Sequence, residues 1–348
     1  MVKGNFIQIG NRKIGPNFKP LVIFELGINH NGKLELAKKI VDEAIKCGAE
    51  VIKHQTHIPD DEMSIEAKKI IPVHTKKNIY EIIKNCALSE KDELALKKYI
   101  EKKKAIFLST PFSREAVNRL VKFKVKAFKI GSGECNNYPL VDYIASFKKP
   151  IIMSTGMNDI QSIKKSVKIL KKKGVKYALL HTTNLYPTPH KLIRLNAINE
   201  IKKFFPKTVY GLSDHTGENY TSLAAVAMGA SIIEKHFIDR GSRSGPDITA
   251  SIDKNQMKDL LNGISLIHKA KPGGINPVKE EKNTSKFAFA SVVSNKDLDE
   301  GEILTKKNIW VRRPGNGDFS AEKFYSLIGK KIKKKVKKNT QLKKIHFK

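Results

Sequence analysis

Two histidines near the carboxyl ends of β-branched runs are the first residues here whose type and spacing suggest chemistry. His215 ends the run VYGLSDH, and His236 lies in SIIEKHF, 21 residues later. Two neutral imidazoles facing one cavity could hold a divalent metal ion, which acts as a Lewis acid on a carbonyl group. Isolated histidines more often have structural or supporting roles, and we interpret four others in that way: His30, His54, His57 and His181.

A second polar group has the composition of an anion site. Lys53, Thr110 and Lys129 supply two cations and a hydroxyl, and GSGE (131–134) follows Lys129 closely. The glycines of such a turn let backbone N–H groups approach a phosphate, although GSGE alone is equally typical of a tight turn. Three further hydroxyl or amide side chains strengthen the phosphate interpretation, namely Ser154, Asn184 and Ser213.

The elements that must position these residues form a repeating pattern. Short β-branched runs occupy residues 21–26, 51–55, 105–110, 127–130, 150–155, 177–182, 209–214 and 231–237. Helical patterns alternate with them at 34–47, 92–104, 114–123, 139–147, 159–173, 220–229 and 255–270. Such alternation predicts parallel strands, and eight units in about 250 residues favour a (β/α)₈ TIM barrel over an open doubly wound sheet. No GxGxxG follows the first strand, which also disfavours a dinucleotide fold.

Every predicted strand ends in polar or ionisable residues. In chain order these are Glu25, Lys53, Gln55, Thr110, Lys129, Ser154, Asn184, Ser213, His215, Glu234 and His236. Active sites of such barrels lie at the carboxyl ends of the strands, and neighbouring strands are ~4.8 Å apart. The two histidines from strands seven and eight can therefore share one ion. Glu25, on strand one beside strand eight, can accept a proton in the same cavity.

The length of 348 residues predicts one large domain and one small domain. We assign residues 1–270 to the barrel, with an N-terminal hairpin that caps its floor. Residues 271–285 are rich in glycine, proline and charge, and we interpret them as a linker. Residues 286–348 contain short strands, turns and a short helix, which predicts a small β-rich domain.

Composition excludes several classes of protein. The net charge is +32, but only eight of the 66 basic residues are arginine and the lysines are dispersed, so we expect no nucleic-acid partner. This field would instead attract a small anion. No apolar run reaches the ~20 residues of a membrane span, and the N-terminal residues lack a charged start followed by an apolar core, so we expect neither a membrane span nor a signal peptide. Three cysteines without CxxC spacing favour the cytoplasm.

The motifs together resemble the bacterial N-acetylneuraminate (sialic acid) synthase family over essentially the whole chain. The barrel motifs are ELGINHNG (25–32), KHQTHIPDDEMS (53–64), STPFS (109–113), FKIGSGECNNYPL (128–140), STGM (154–157), TNLYPTP (183–189), GLSDHT (211–216) and SGPD (244–247). FAFASVV (287–293) and WVRRPGNGDFS (310–320) resemble the antifreeze-like (SAF) domain that follows the barrel in this family.

The resemblance implies a transferase that condenses phosphoenolpyruvate with N-acetylmannosamine and water, giving N-acetylneuraminate and phosphate. It implies a divalent ion on His215 and His236, expected to be Mn²⁺ with Mg²⁺ or Co²⁺ as alternatives, and Glu25 as general base. The implied phosphoenolpyruvate contacts are Lys53, Thr110, Lys129, Ser132, Ser154, Asn184 and Ser213. The implied sugar contacts are Gln55, Tyr186 and Asp247, and Glu134 and Glu234 belong to the same polar network.

The resemblance also implies a domain-swapped homodimer, in which Arg313 of the tail contacts the N-acetyl group in the other subunit. Two alternatives stay open. One is a synthase of a related nonulosonic acid, legionaminic or pseudaminic acid, with the same chemistry. The other is a non-enzymatic protein that binds ice or nucleic acid through its tail, which the polar strand ends disfavour.

Overall fold

The structure is a computed structural model that describes residues 5–71, 77–239, 243, 245 and 247–348. Ser244 and Pro246 of the SGPD motif lie outside these residues. The chain divides into two compact units, Met1–Pro272 and Gly273–Lys348, which are described separately.

The first unit is the predicted barrel. Its strands follow an N-terminal hairpin of β1 (Ile7–Ile9) and β2 (Arg12–Ile14). The barrel strands are β3 (Leu21–Glu25), β4 (Val51–Thr56), β5 (Ile106–Pro111), β6 (Phe128–Ile130), β7 (Ile151–Ser154), β8 (Tyr177–Thr182), β9 (Val209–Asp214) and β10 (Ile232–His236). They form one sheet in the order β5-β4-β3-β10-β9-β8-β7-β6, with parallel pairing in each ladder. Because β5 and β6 at its two ends are in contact, the sheet is a nearly closed barrel.

Helices surround this sheet, and all seven that the sequence predicts are present. The helices of the first unit are α1 (Leu34–Lys46), α2 (Pro59–Glu62), α3 (Ile79–Cys86), α4 (Glu90–Lys102), α5 (Arg114–Lys122), α6 (Tyr138–Ser146), α7 (Ile160–Lys172), α8 (Ala197–Phe204), α9 (Tyr220–Ala227) and α10 (Lys254–Ala270). Polar side chains cap the N-termini of many of these helices. At α10 the Asp253 side chain accepts from the backbone N–H of Gln256, and the Gln256 side chain accepts from the backbone N–H of Asp253. The helices α2, α3 and α8 were not predicted.

The barrel interior changes character along each strand. Alternate residues point inward, and the lower inward positions are apolar, as with Leu21 and Ile23 of β3. Ile9 and Ile14 of the hairpin pack against this layer and are fully buried. The next inward residue of β3 is Glu25, so the polar layer begins one step above the apolar floor.

The second unit has its own apolar core, built around residues such as Val292, Leu304 and Leu342. Its elements are α11 (Lys282–Ala288), β11 (Ser291–Ser294), β12 (Ile309–Arg312) and α12 (Phe324–Leu327). The antiparallel pair β11–β12 agrees with the predicted small β-rich module. The segment predicted as a linker is not wholly irregular, because α11 starts within it, and Phe287 belongs to this helix instead of a strand.

The cysteines and the helix lengths bear on the environment in which the protein folds. Cys47, Cys86 and Cys135 are all free thiols. Among the described residues, every helix is too short or too polar to cross a membrane. The cytoplasmic location stays a prediction.

Candidate active site

The carboxyl ends of the barrel strands surround a cavity of about 150 Å³. Thirteen of the predicted site residues line it: Glu25, Lys53, Gln55, Thr110, Lys129, Ser132, Glu134, Ser154, Asn184, Tyr186, His215, Glu234 and His236. Ser213 and Asp247 contact members of this set without lining the cavity themselves. The structure therefore brings together the residues that the strand ends singled out.

Two carboxylates and two lysines form a buried charge cluster at the base of the cavity. Lys53 Nζ lies 2.8 Å from Glu25 Oε2 and 3.7 Å from Glu234 Oε1. Lys129 Nζ also lies 3.7 Å from Glu234 Oε1 and donates to Ser154 Oγ at 2.7 Å. All four charged residues are at most 5% exposed. Burial of unpaired charges would be costly, and this mutual pairing offsets the cost.

The charge cluster perturbs the pKa values of its members. Burial disfavours the charged form of Lys53, but Glu234 and Glu25 outweigh it and raise the pKa of this lysine. Burial prevails at Lys129, so its pKa is lowered although Glu234 opposes the change. Burial also opposes ionisation of Glu234, but Lys129 and Lys53 outweigh it and lower the pKa of this carboxyl group. The cluster therefore combines buried groups of opposite charge at the base of the cavity.

Hydroxyl and amide groups from β5 and from the residues after β6 and β8 extend the site. Thr110 Oγ1 accepts from Lys53 Nζ at 3.3 Å, and Ser132 Oγ accepts from the backbone N–H of Gly156 at 3.2 Å. Asn184 Oδ1 is buried without a hydrogen-bond partner among the described residues. A Cβ atom at Gly156 would overlap this oxygen, so glycine is needed for the close approach.

The two histidines meet at the opposite edge of the cavity. The ring centroids of His215 and His236 are 5.3 Å apart. Tyr186 stacks on His215, with ring centroids 4.2 Å apart and planes inclined by 24°, and it meets His236 edge-on. His215 Nδ1 donates to the carbonyl oxygen of Thr183 at 2.9 Å, which fixes its tautomer. Its other nitrogen, Nε2, therefore carries the lone pair, and it accepts a hydrogen bond from the Tyr186 hydroxyl at 3.3 Å, which a metal ion would have to replace.

The donor set suits a divalent ion. Burial and the neighbouring His236 lower the pKa of His215 to about 3, so the ring stays neutral and Nε2 keeps its lone pair. His236 Nδ1 is buried without a hydrogen-bond partner in the described part of the chain, and Asp247 Oδ2 lies 3.5 Å from it. No group of three or more His, Cys, Asp or Glu among the described residues is arranged to hold a metal. An ion on this pair would take its other ligands from water or substrate.

The sequence placed Glu134 in the polar network of the site but did not indicate a specific role for it. It follows Gly131 and Gly133 in the turn after β6, and a Cβ atom at Gly131 would overlap its carboxylate. Burial raises the pKa of Glu134 to about 7. A carboxyl group near this value can both donate and accept a proton around neutral pH.

Sequence reasoning missed Phe112 and Thr182, which also line the cavity. Thr182 continues the inward set of Ala178 and Leu180, so strict alternation along β8 would have identified it. Phe112 follows β5 in a turn, where no periodicity indicates its direction.

Arg313 belongs to the second unit, directly after β12, and is exposed. The neighbouring Arg312 is already engaged inside that unit, where it donates to Asn339 and Asn295. Arg313 is thus the arginine of this pair that presents its side chain to solvent.

Comparisons with known proteins agree with this architecture. The NeuB family matches residues 40–276, and the SAF domain matches residues 289–348. The chain is 38% identical over 330 residues to the N,N'-diacetyllegionaminic acid synthase of Campylobacter jejuni subsp. jejuni serotype O:2, covering 92% of this chain and 98% of that protein. It is 32% identical over 348 residues to the pseudaminic acid synthase of the same organism, covering 98% and 100%.

A solved structure is similar as well. The N-acetylneuraminic acid (sialic acid) synthetase of Leptospira borgpetersenii serovar Hardjo-bovis, in complex with citrate, matches with a TM-score of 0.74 and 30% identity. The match covers 81% of this chain and 95% of that chain.

Proposed function

Because the chain belongs to the NeuB family, we propose that it condenses phosphoenolpyruvate with an N-acylated hexose and water, giving a nonulosonic acid and phosphate. The observation that supports this most is the cavity itself, in which two buried lysines, three glutamates and two histidines face one space. An anionic phosphate ester needs the lysines, and an aldehyde acceptor needs an electrophilic partner such as the histidine pair can hold.

In this proposal the lysines and hydroxyls bind phosphoenolpyruvate. Lys53 and Lys129 neutralise its charge, while Thr110, Ser132 and Ser154 offer hydroxyl groups to its oxygens. Asn184 and Ser213 complete the set, with Ser213 acting through its hydrogen bond to Glu234 at 3.1 Å. Gln55, Tyr186 and Asp247 orient the acceptor sugar at the other edge of the cavity.

The reaction forms one C–C bond and one C–O bond to the oxygen of water, and it breaks the C–O bond to phosphate. The two protons of the water end on the new hydroxyl group and on the released phosphate. Carbon 3 of phosphoenolpyruvate attacks the aldehyde carbon, whose oxygen becomes a hydroxyl group. Water adds at the cationic carbon 2, and phosphate leaves to give the keto acid. Glu25 accepts the proton of the water. A divalent ion on His215 and His236, Mn²⁺ in this proposal, would polarise the aldehyde as a Lewis acid.

N-acetylmannosamine is the acceptor that we propose, with N-acetylneuraminate as product. The similarity to the Leptospira sialic acid synthetase supports it. The 38% identity to a legionaminic acid synthase favours an alternative, in which the acceptor is the hexose precursor of legionaminic or pseudaminic acid. The protein would distinguish these acceptors through few contacts. The reaction and the choice of acceptor must therefore be tested separately.

Incubation of the protein with phosphoenolpyruvate, Mn²⁺ and each candidate hexose tests this proposal. We expect phosphate release and a product of the corresponding mass with N-acetylmannosamine. Release only with another hexose would overturn the acceptor and keep the chemistry. No release with any of them would overturn the proposed function.

We also propose that the protein acts as a homodimer in which Arg313 of one copy reaches the barrel mouth of the other. The exposure of Arg313, beside an Arg312 that is engaged within its own unit, supports this role. Light scattering should give the mass of a dimer, and Arg313→Ala should raise the KM for the acceptor without changing the KM for phosphoenolpyruvate.

A further inference from the structure

A chain of hydrogen bonds leads from the candidate general base to a histidine outside the cavity. Gln55 Nε2 donates to Glu25 Oε1 at 2.9 Å. Gln55 Oε1 lies 3.1 Å from His57 Nε2, and His57 Nδ1 lies 2.8 Å from Glu62 Oε2. His57 is buried and does not line the cavity. The hydrogen bonds therefore connect Glu62, His57, Gln55 and Glu25 in this order.

The donors and acceptors in this series of hydrogen bonds determine which ring nitrogens of His57 carry a proton. Glu25 lies 2.8 Å from the Lys53 ammonium, and an ionised carboxylate only accepts hydrogen bonds, so the amide N–H₂ of Gln55 must face it. The amide oxygen of Gln55 consequently faces His57 Nε2, which must then carry a proton. Glu62 is also an acceptor, which places a second proton on Nδ1.

The reverse orientation of Gln55 is disfavoured by the same distances. It would place the amide oxygen 2.9 Å from Glu25 Oε1, with two acceptors facing each other and no proton between them. The surroundings of His57 suit a cation as well. Its ring stacks on Phe112, with centroids 4.3 Å apart and planes inclined by 11°, an arrangement that accommodates an imidazolium as well as a neutral ring.

We propose that His57 is an imidazolium that acts as a positioning residue: it fixes the orientation of Gln55 and thereby the geometry of Glu25 toward the acceptor. The kinetic part of this inference rests on the proposed function, whereas the protonation state does not. Other ionisable groups that act electrostatically on His57, or feel its charge, are Glu62, Glu134, Glu93, His30 and His54.

The position of Glu62 is itself fixed by its neighbours. It is the last residue of α2, in which each of the three acidic residues has its own partner. Asp60 accepts from the Tyr80 hydroxyl at 2.7 Å, and Asp61 accepts from the backbone N–H of Glu115 at 2.9 Å. Glu62 is thus held against His57 by α3 and α5, so the imidazolium has a counter-ion that does not depend on substrate.

NMR of the substrate-free protein labelled with [¹⁵N]histidine tests the protonation state. The signal that disappears in His57→Phe identifies the residue. At neutral pH we expect both ring nitrogens to give the shifts of protonated nitrogen, and Glu62→Gln to move them toward the neutral ring. A single neutral tautomer in the wild-type protein would overturn the inference, whether or not the enzyme is active.

Kinetics then test the positioning role. His57→Phe keeps a flat ring over Phe112 but removes both N–H donors. We expect the KM for the acceptor to rise by about tenfold, as for loss of a charge-assisted hydrogen bond, with the KM for phosphoenolpyruvate unchanged. The matched control is His268→Phe on α10, outside the site, which should change neither constant.

His57→Gln should recover part of the acceptor affinity, because an amide N–H can replace one donor. A merely structural role predicts equal changes in both KM values, or a lower unfolding temperature with unchanged KM values; either result overturns the positioning role. If no hexose supports turnover in the wild-type protein, the proposed function fails and the NMR result alone decides the charge state of His57.

Discussion

The floor and the mouth of the barrel are built from the same strands but from opposite kinds of residue. In β3, Leu21 and Ile23 face the apolar floor and Glu25, the next inward residue, faces the mouth. In β10, Ile232 and Glu234 show the same change. All five side chains are buried, so the difference is one of chemistry and not of exposure.

This contrast shows how the molecule separates stability from function. The floor buries apolar area, which stabilises the fold. The mouth buries charges that contribute little net stability even when paired. Substitutions at the floor and at the mouth of the barrel should therefore change different measured quantities. Four experiments can test this.

The largest expected effect is at the mouth. His236→Ala or His215→Ala should lower turnover by about 10³-fold, because several kcal/mol of charge stabilisation on the acceptor carbonyl would be lost. Circular dichroism should show an intact barrel, and a chelator should inhibit the wild-type enzyme reversibly. Wild-type turnover in either variant without added metal would mean that the pair is structural.

At the floor, Ile14→Ala should lower the free energy of unfolding by about 2–5 kcal/mol, because it leaves a cavity in a fully buried layer. Urea unfolding measures this change. Turnover per folded molecule and both KM values should stay as in the wild type. An altered KM would show that the floor and the mouth are coupled.

An intermediate effect is expected from Gly156→Ala. Its Cβ atom would displace Asn184 and crowd Ser132, so we expect the KM for phosphoenolpyruvate to rise by about tenfold. Gly274→Ala is the control, because a Cβ atom there has no described heavy atom within 4 Å and Gly274 does not line the cavity. Equal KM values in both variants would contradict the assigned phosphate side of the cavity.

The smallest effect concerns pH. Burial raises the pKa of Glu134 from its ordinary value of 4.5 to about 7. The folded state thus holds this proton more tightly than the unfolded chain, and the resulting stability is complete at low pH and lost as pH rises through about 7.

Glu134→Gln cannot lose that proton. Relative to wild type, its free energy of unfolding should therefore gain on the order of 1 kcal/mol between about pH 5 and about pH 8. Chemical denaturation at both pH values measures the difference. A pH-independent difference would show that Glu134 does not titrate as buried carboxyl groups do.

The barrel could be predicted because eight β-branched runs alternate with helical patterns, and the site because each run ends in polar residues at the carboxyl end of its strand. Shorter elements escaped prediction: α8 spans only AINEIKKF, too short for a clear periodic signal, and Phe287 sits in α11 although FAFASVV resembles a strand. The pairing of Lys53 with both Glu25 and Glu234 was also out of reach. It depends on how far side chains extend across the closed barrel, which strand patterns do not encode.

The position of Glu234 has a consequence for any ligand of the two lysines. Its Oε1 atom lies 3.7 Å from both ammonium groups and accepts from Ser213, so it acts as a tethered counter-ion. An incoming anion exchanges with this carboxylate instead of entering an uncompensated positive pocket. Such competition favours groups with more charge and more oxygen atoms than a carboxylate, so discrimination against small monoanions is built into the resting protein.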